Sequence, residues 1–578
     1  MNKKWKKSFV FVFIAVLLVM MVGCSGNNTN TTQETTTEPS SDKGSTESPT
    51  TPSEPVTLTI FGGVESANLN GAFQDDDVMK ELEKRTGVKL DFTSNLNISD
   101  PAQKMAVMLA GNDLPDIVIF NTLTDQAKVY GAKQAIPLDD LVAEFGPDIL
   151  KNAGDALQVS KQLSSDDTHA LYYLPGGVKQ VIFSPLVNEN AWNLRWDLYK
   201  QLDYPKLDTL DDLLNVMEQM MKLEPTNKAG KKTYGIGINL SDDWGQLMID
   251  RANYNMAGEA CCGYNDLYYS MDKKQIVPRI SDPNSTFWKS VKFYNEAYKR
   301  GILDPESATL KFAALNDKFK SGRYFASTTH WSQAGADQQF IAEGNPEKGF
   351  VPLMINNNPN NIYVAAQSIN GNQFQMFISK NSKNPEAAMK FINYLYTNEG
   401  SELLQNGVEG KQYDMVNGVP IVKDSELDAL KSDPKHFLQT GVLKYSHMQR
   451  FNPPQNPKGY PSDFMQVPET VKKLATPVQN DFMAHYNYST INDAFIKIPN
   501  YSYDVGKLGS LSAVPGSDIQ GKKEQLDAYL VANIAKVIYQ KTDADFEKAK
   551  NSFLDAYNSK GAKEVFDYFK KSYEDANK

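Results

Sequence analysis

Histidines and the common catalytic motifs are the residues that most often carry catalysis or bind metal ions, and the sequence contains few of either. The chain has 578 residues but only five histidines, which lie far apart in the sequence. The motifs H-E-x-x-H, C-x-x-C, G-x-S-x-G and G-x-x-x-x-G-K-[ST] are absent, which removes the sequence signals of several enzyme classes. We therefore predict no metal site, no cofactor and no catalytic residue. The histidines are His169, His330, His436, His447 and His485.

Adjacent aspartates form a second group that could carry chemistry. They include Asp166–Asp167, Asp211–Asp212 and Asp242–Asp243. Glycoside hydrolysis needs two carboxyl groups about 5 to 9 Å apart across a cleft, and neighbours in the chain do not indicate that geometry. Such pairs are common in an acidic protein, so we interpret these as helix caps and turn residues.

Cysteines are too few to hold the fold together by disulfide bonds. The chain has three of them, so a hydrophobic core must provide the stability. Cys261 and Cys262 are adjacent, and the sequence leaves open whether they are two thiols or a strained vicinal disulfide.

The N-terminal segment predicts export from the cell. Four lysines precede the apolar run Phe9–Val22, whose 14 residues are fewer than the ~20 that span a bilayer. Gly23 and Cys24 follow the run and resemble the bacterial lipobox, in which cleavage before the cysteine leaves a residue that carries diacylglycerol. Met21 stands where the lipobox prefers leucine. An ordinary signal peptide with an incidental cysteine is the alternative interpretation of residues 1–23.

Residues 24–55 are predicted to form a disordered tether. The segment is rich in Ser and Thr and has no large apolar side chain, so it cannot bury enough surface to offset the entropy of ordering. A flexible coil of this length spans on the order of 30 Å. Without residues 1–23 the chain has 56 basic and 70 acidic side chains, and this acidic balance excludes nucleic acid as a partner.

The spacing of apolar residues predicts the strands and helices that must position any site. Residues 56–61 and 88–92 alternate as strands, and residues 117–120 form a short buried strand. Helices are predicted between them, the first starting at Asp75–Asp77 and ending at Gly87, the second over residues 101–110. The order βαβαβ predicts an α/β fold with a largely parallel sheet.

Later helices are marked by their caps. Thr209 and Asp212 form a capping box, Gly301 ends the helix that carries Phe287 and Tyr298, and Asn384 is expected to cap a helix that begins with Pro385. Leu526 to Val537 and Phe546 to Tyr557 form two further apolar stripes, so the C-terminal third is predicted to be helix-rich.

Seven strings, in order along about three quarters of the mature chain, carry a family resemblance. Together they resemble the extracellular solute-binding lipoproteins of bacterial ABC transporters, family-one solute-binding proteins, and most of all the large carbohydrate-binding branch of Gram-positive bacteria. The strings are LTIFGG from Leu58, GNDLPDIVIF from Gly111, RWDLYKQLDYPKLDTLDDLLNVMEQMMKLEP from Arg195, RGILDPES from Arg300, KFKSGRYFAS from Lys318, NPEAAMKFINYLYTNEG from Asn384 and GVEGKQYDMVNGVPI from Gly407.

The resemblance implies a two-lobe, type II periplasmic-binding-protein-like α/β fold with a ligand cleft between the lobes. The first lobe would comprise residues 56–180 and 361–430, and the second residues 181–360 and 431–578. Closure of two hinged lobes would bury the solute, and the closed form would dock on the permease. Some relatives carry a calcium loop after the helix that matches residues 210–223. Here Lys228, Lys231 and Lys232 replace oxygen donors, so we predict no calcium there.

Sugar recognition combines flat aromatic rings with hydrogen-bonding side chains, which directs attention to the tryptophans. Trp288 lies in a periodic helix and Trp196 follows an arginine in the family string, so both are predicted to be structural. Trp244 and Trp331 lie in polar turns, and we predict that both stack on the ligand, with packing at the surface as the alternative.

Polar residues after predicted strands are the candidate hydroxyl-binding groups. Glu65 and Asn68 follow the first strand and Asn121 follows the strand 117–120, while Tyr254 and Gln373 lie in analogous loops. Their alternative interpretation is turn chemistry.

The resemblance thus implies a monomeric receptor, held at the extracellular face of the cell membrane by Cys24, that delivers a carbohydrate to an ABC permease. The alternatives are a receptor for another solute such as a peptide, which would need a carboxylate for the ligand's ammonium group, and a secreted enzyme that acts on polysaccharides. The sequence names neither the sugar nor the permease.

Overall fold

The structure, a computed structural model, describes the greater part of the chain after the predicted tether. The predicted signal sequence and Cys24 lie outside the described residues. Those residues are 56–62, 76–95, 101–120, 128–162, 169–178, 191–242, 244–261, 266–355, 364–366, 373–433, 436–453, 455–491, 493–496, 502–504, 507–508, 511–514 and 516–578.

Strands are short and come from the whole length of the chain. They are β1 Val56–Phe61, β2 Val88–Asp91, β3 Ile117–Phe120, β4 Leu174–Gly176, β5 Asn193–Arg195, β6 Glu259–Cys261, β7 Leu267–Ser270, β8 Gln275–Pro278, β9 Ala326–Ser327, β10 Phe350–Pro352, β11 Val364–Ala366, β12 Gln373–Ile378, β13 Tyr413–Val416, β14 Val419–Val422 and β15 Ser502–Asp504.

Helices make up most of the remaining regular structure. They are α1 Asp77–Thr86, α2 Pro101–Gly111, α3 Asp139–Phe145, α4 Pro147–Gln162, α5 Trp196–Gln201, α6 Leu210–Leu223, α7 Asn253–Met256, α8 Thr286–Lys299, α9 Phe312–Lys320, α10 Ala336–Ala342, α11 Pro385–Leu395, α12 Asn398–Asn406, α13 Asp424–Ser432, α14 His436–Thr440, α15 Pro468–Leu474, α16 Pro477–Tyr486, α17 Asp493–Ile496, α18 Asp518–Ile538, α19 Asp543–Asn558 and α20 Ala562–Ala576.

The first sheet has the strand order β2-β1-β3-β12-β4. β1 pairs in parallel with β2 and β3, as the βαβαβ pattern predicts. β12 comes from more than 250 residues later and lies antiparallel between β3 and β4. The predicted parallel sheet is therefore confirmed for its N-terminal strands, and its other half is antiparallel.

Both faces of this sheet are buried. In β3, Ile117 and Ile119 pack in one hydrophobic core, whereas Val118 and Phe120 pack in another on the opposite face. This alternation follows from the period of two along a strand, and it explains why the run IVIF has no polar residue.

The predicted helix ends are largely confirmed. Asp76 accepts a hydrogen bond from the N–H of Met79 (2.9 Å) at the start of α1, and Gly87 closes the helix with φ 68°. The capping box of Thr209 and Asp212 is present. Asn384 is the N-cap residue of α11, which begins at Pro385 as predicted, although its side chain makes no capping hydrogen bond.

A second large core is built from residues 191–355 together with the C-terminal helices. Trp192, Trp196 and Trp288 are at most 2% exposed in it, as predicted for the latter two. The antiparallel sheet β10-β5-β9 and the apolar faces of α8, α18, α19 and α20 enclose this core.

Residues after 430 divide between the two cores. Val442, Tyr445 and Phe451 pack in the core of the first sheet. For residues 431–474 we therefore propose membership of the first lobe in place of the predicted second lobe. The other predicted lobe boundaries stay predictions.

No helix of the described residues combines the length and the apolar character that a membrane span requires.

Candidate functional site

Three aromatic side chains from distant parts of the chain pack together on the second core. The ring centroids of Trp244 and Trp331 are 5.8 Å apart, and Phe312 lies 5.5 Å from the first ring and 5.3 Å from the second. The interplanar angles are 55–58°, and both tryptophans remain partly exposed. We call these three residues the aromatic cluster. The structure thus brings together the two tryptophans that the sequence selected, and adds Phe312.

Asp242 joins the Trp244 turn to the start of α9. One oxygen of its carboxylate accepts hydrogen bonds from Asn239 Nδ2 and from the backbone N–H of Phe312, both at 2.8 Å. A carboxylate at the N-terminus of a helix also interacts favourably with the helix dipole. Asp242 is therefore a turn and cap residue, as predicted for this aspartate, and it positions two members of the aromatic cluster.

Gly245, directly after Trp244, allows a very close approach of two backbone segments. A Cβ atom at this position would lie 1.9 Å from the carbonyl oxygen of Asn239. The turn can therefore form only where the side chain is a hydrogen atom.

The turn that carries Trp331 is held by the same helix. Asn316 Nδ2, one turn into α9, donates to the carbonyl oxygens of Ser332 (3.2 Å) and Ala334 (3.1 Å). The hydroxyls of Thr329 and Ser332 lie 2.6 Å apart and close the turn from the other side. Helix α9 thus supplies Phe312 and fixes the backbone around both tryptophans.

Buried polar atoms without a hydrogen-bond partner occur in several parts of the described chain. Those on the segments that carry the aromatic cluster include four amide or carboxylate oxygens and one amide nitrogen, each on a side chain with little or moderate exposure. Buried polar groups are normally paired, so such groups call for a partner from outside the chain. The atoms are Asn239 Oδ1, Gln246 Oε1, Glu259 Oε2, Gln333 Oε1 and Asn255 Nδ2.

Sequence reasoning missed these residues, although a signal was present. Trp244 and Trp331 are each followed two positions later by a glutamine, Gln246 and Gln333. Both W-x-Q strings form a 3₁₀ turn, and both glutamines carry an unpartnered Oε1. The site therefore contains two similar units, each with a ring and an amide acceptor.

A buried ion pair supports the segment between Trp244 and α7. Arg279 donates to both oxygens of Asp250 (2.7 and 2.8 Å), and the Tyr268 hydroxyl also donates to Asp250. Asn253 accepts from Trp192 Nε1 (3.0 Å) and donates to Ser290 Oγ (2.9 Å). These contacts fix the backbone of residues 249–256 from the core side.

Glu259 is the carboxyl group among the unpartnered atoms. Burial raises its pKa to about 7, and the nearby Asp250 acts in the same direction. A hydrogen bond from Thr286 and the lysines at 273 and 289 oppose the rise. The group is therefore partly protonated at neutral pH.

The other predicted contact residues fall in different places. Tyr254 lies on α7, is 7% exposed and packs against the Tyr268 ring at 6.0 Å. Gln373 is the first residue of β12 and pairs with Gly176. Glu65, Asn68 and Asn121 lie outside the described residues.

The edge of the first sheet explains why those three residues remain of interest. The carboxyl ends of β1 and β3 lie side by side, and β12, running the other way, begins at the same edge. Asn95 stabilises this edge, since its Oδ1 accepts from Gly62 N (2.8 Å) and its Nδ2 donates to Ile60 O (3.0 Å).

In the loop after α6, the side-chain oxygen of Asn227 forms hydrogen bonds within the loop itself. Asn227 Oδ1 accepts from the backbone N–H groups of Ala229 (3.1 Å) and Lys231 (2.9 Å). Within the described ranges, no group of three or more His, Cys, Asp or Glu side chains could hold a metal ion. The predicted absence of calcium stays a prediction.

Several known proteins are similar to this chain. Lipoprotein LipO of Bacillus subtilis (strain 168) is 21% identical over 356 residues, which are 59% of this chain, and the match spans 64% of the length of that relative. The HMO-binding, ABC-transporter-associated solute-binding protein of Bifidobacterium longum infantis ATCC 15697 has a TM-score of 0.62 at 13% identity, covering 91% of this chain and 100% of that chain.

A third similar structure is that of the S. pneumoniae ABC-transporter substrate-binding protein FusA, an EF-hand mutant in complex with fructo-nystose. Its TM-score is 0.62 at 17% identity, covering 90% of this chain and 100% of that chain. These likenesses confirm the predicted α/β two-lobe fold. The sequence profile of the bacterial extracellular solute-binding proteins matches residues 77–437, more than half of the chain, and the protein belongs to that family.

Proposed function

We propose that this protein captures a carbohydrate, an oligosaccharide, between two hinged lobes and delivers it to an ABC permease without changing its covalent bonds. The observation that carries the proposal is the aromatic cluster with unpartnered amides on the same segments. Rings bind the C–H faces of a sugar and amides bind its hydroxyl groups, and the same segments carry both kinds of group. The sugar ligands named for the similar solved proteins support the same ligand class.

The second lobe would provide the stacking surface and the first lobe the opposing contacts. Trp244 and Trp331 would hold sugar rings, and Gln246 and Gln333 would accept hydrogen bonds from hydroxyls beside them. The side-chain amide oxygens of Asn239, Gln246 and Gln333 are acceptors, which suits a ligand rich in O–H donors.

Candidate contacts from the first lobe would come from the segments that follow β1 and β3. Glu65, Asn68 and Asn121 are candidates because they follow Phe61 and Phe120 in the chain, and Gln373 is a candidate because it begins β12 at the edge where β1 and β3 end. Tyr254 is a further candidate on the second lobe. A solute that contacts both lobes at once stabilises the closed form.

Membrane attachment is the other half of the proposal. Cys24 would carry the lipid that holds the protein at the extracellular face of the cell membrane, with residues 25–55 as the tether. The similarity to a lipoprotein of Bacillus subtilis supports this anchoring. Partners would then be the sugar, the permease and the membrane surface, with the receptor itself a monomer.

The peptide-receptor alternative depends on a carboxylate for the ligand's ammonium group. Glu259 has one carboxylate oxygen without a hydrogen-bond partner, and burial raises the pKa of the group to about 7. A partly protonated group is a weak counter-charge for an ammonium. We therefore favour the uncharged polyol.

Calorimetry on the mature chain with Cys24→Ser, which keeps the protein in solution, tests the proposal. Neutral and acidic oligosaccharides are compared with short peptides, and release of reducing ends is assayed in parallel. We expect binding of a saccharide and no turnover. Binding of peptides alone, or release of new reducing ends, would refute the proposal.

The aromatic cluster is tested by Trp331→Ala and Trp244→Ala. Losing one stacking ring should weaken saccharide binding by about tenfold or more, corresponding to about 1.4 kcal/mol. Tyr486→Ala is the matched control because it removes a 38% exposed ring on α16, away from the aromatic cluster. Equal affinities for all three variants and wild type would exclude the cluster as the binding surface.

A further inference from the structure

The structure contains a cavity of about 60 Å³ that shares no residue with the aromatic cluster. A single water molecule needs about 10–15 Å³ of such volume, so this cavity has room for a group of several non-hydrogen atoms. Half of its wall residues are apolar and the other half have polar side chains. The walls are formed by Gln405, Asn406, Gln412, Val422, Val442, Leu443, Asp463 and Met465.

Hydrogen bonds join the walls of this cavity to one another. Asn406, the last residue of α12, accepts at Oδ1 from Phe464 N (2.8 Å) and donates from Nδ2 to Ser462 O (2.8 Å). Leu443 N donates to Leu404 O (3.0 Å). The end of α12, the loop after α14 and the turn after Ser462 are therefore fixed relative to one another.

Two residues at the cavity have a left-handed backbone. Leu443 has φ 59°, in a region that non-glycine residues rarely adopt. Gly407 follows α12 with φ 84°, and a Cβ atom there would lie 2.7 Å from Gln412 Oε1 and 2.8 Å from Val442 Cγ2. Backbone strain such as that of Leu443 persists only where the surrounding structure enforces it, and it concentrates at ligand sites.

Asp463 is a carboxylate in the cavity wall that lacks a cation. Its Oδ1 accepts from Met465 N (3.0 Å), and its Oδ2 accepts a long hydrogen bond from Gln466 Nε2 (3.4 Å). Among the residues that the structure describes, no Lys, Arg or His lies within ion-pair distance of this side chain. Burial raises the pKa of Asp463, and the two hydrogen bonds oppose the rise. Buried carboxylates are normally paired with a cation, so this one calls for a positive partner.

The surroundings of Asp463 strengthen this preference for positive charge. The cavity lies at the C-terminus of α12, whose last carbonyl groups form the negative end of the helix dipole and favour a cation. In the same core the buried Asp76 already has its cation, Lys444, at 2.9 Å. The charge at Asp463 is therefore the one that a ligand can balance.

We propose that this cavity binds a primary ammonium group on a short aliphatic stem, supplied by a small amine or by a lysine side chain. The ammonium would contact Asp463 and the amide oxygen of Gln405, and the stem would pack on the apolar walls. The site is separate from the aromatic cluster, and the proposal does not depend on the proposed capture of a saccharide.

The walls suit an alkylammonium better than a bare metal ion. Calcium takes six to eight oxygen ligands, whereas four of the wall residues here are apolar. Within the described part of the chain, no group of three or more His, Cys, Asp or Glu side chains could hold a metal ion. An ammonium group needs at most three acceptors, and its methylene groups can cover apolar surface.

Methyl NMR on the mature chain with Cys24→Ser tests the proposal at the cavity itself. The methionine methyl groups are labelled with carbon-13 in an amine-free buffer, and Met465→Leu identifies the Met465 signal. The probes are ethylammonium chloride and Nα-acetyl-lysine amide, with ethanol, NaCl and KCl as controls. A ligand of three non-hydrogen atoms binds with a Kd of about 0.5 mM at best, so titrations extend to about 50 mM. We expect a saturable shift of the Met465 signal with an ammonium probe and none with the controls.

Asp463→Asn tests the charge, because it keeps the size of the side chain and an acceptor for Met465 N. It should weaken ammonium binding at least tenfold. Asp424→Asn is the matched control, since the Asp424 side chain on α13 is 74% exposed, and it should bind like wild type. If Asp463→Asn does not fold, Gln405→Leu decides, because leucine is a good helix former and the loss of one acceptor should weaken binding about threefold.

The two ammonium probes also distinguish the source of the ligand. Binding of ethylammonium supports a small amine, and binding of the lysine derivative alone supports a side chain from a partner protein. The proposal is overturned if neither probe shifts the Met465 signal, if ethanol, NaCl or KCl shifts it equally, or if Asp463→Asn binds like wild type. Saccharide binding is measured separately by calorimetry, so either proposal can fail while the other stands.

Discussion

Asp242 offers the sharpest test of how the aromatic cluster is built. The substitution Asp242→Ala removes the acceptor of two hydrogen bonds and leaves Asn239 Nδ2, on a side chain with 0% exposure, and Phe312 N–H without a partner. A hydrogen bond to a charged group contributes about 1.5–3 kcal/mol, so two of them predict a loss of about 3 kcal/mol or more. Asp242→Asn keeps a neutral acceptor and should lose about half as much.

Urea-induced unfolding followed by circular dichroism measures this loss from the transition midpoint at constant m-value. Asp211→Ala is the matched control, because the Asp211 side chain is 74% exposed and its pair with Arg300 lies at the surface. That control should lose no more than about 1 kcal/mol. If Asp242→Ala unfolds at the wild-type urea concentration and retains full saccharide affinity, the aspartate does not organise the cluster.

Three further predictions concern the same lobe. Arg279→Met leaves a buried aspartate without its cation and should lower the free energy of unfolding by about 3–5 kcal/mol in urea titrations. Burial raises the pKa of Glu259 and of Asp266 to about 7, so the folded state binds protons more tightly than the unfolded state. The resulting stability is complete below pH ~4 and is lost as pH rises through 7, so the melting temperature should fall over this window, with a shallower slope in Asp266→Asn. Gly245→Ala places a methyl group 1.9 Å from a carbonyl oxygen, and it should reduce soluble yield and melting temperature together.

Each of these has a contrary outcome. A loss below about 1 kcal/mol for Arg279→Met would mean that the buried pair tolerates removal of one partner. A melting temperature that rises from pH 5 to pH 8 would contradict the direction of the two carboxyl shifts. A Gly245→Ala protein as stable as wild type would mean that the turn can open at no cost.

Local patterns predicted the N-terminal half of the first sheet because its signals are local. Alternation over Val56–Phe61, the N-terminal acids before α1 and Gly87 after it act within a few residues. Such local patterns could not predict that β12 pairs antiparallel with β3. Its partner β3 is more than 250 residues away, and periodicity does not say which strands become neighbours.

In the candidate site too, local signals could be predicted from the sequence and long-range contacts could not. Composition and turn context selected Trp244 and Trp331, but they are 87 residues apart, and it is α9 that brings them together through Asp242 and Asn316. Gln246 and Gln333 were missed because a glutamine near a tryptophan has no meaning until its oxygen is found buried and unpartnered. At Asn384 the residue type predicted the cap position correctly, but it did not show that the side chain makes no capping hydrogen bond.

The path of the chain through its two cores also bears on biosynthesis. The first sheet needs β12 to join β3 to β4, and the second core needs Phe569 near the C-terminus. Contacts between segments so distant in sequence form late. A polypeptide of this topology therefore completes its first sheet only after β12 has been synthesised, and its second core only after α20.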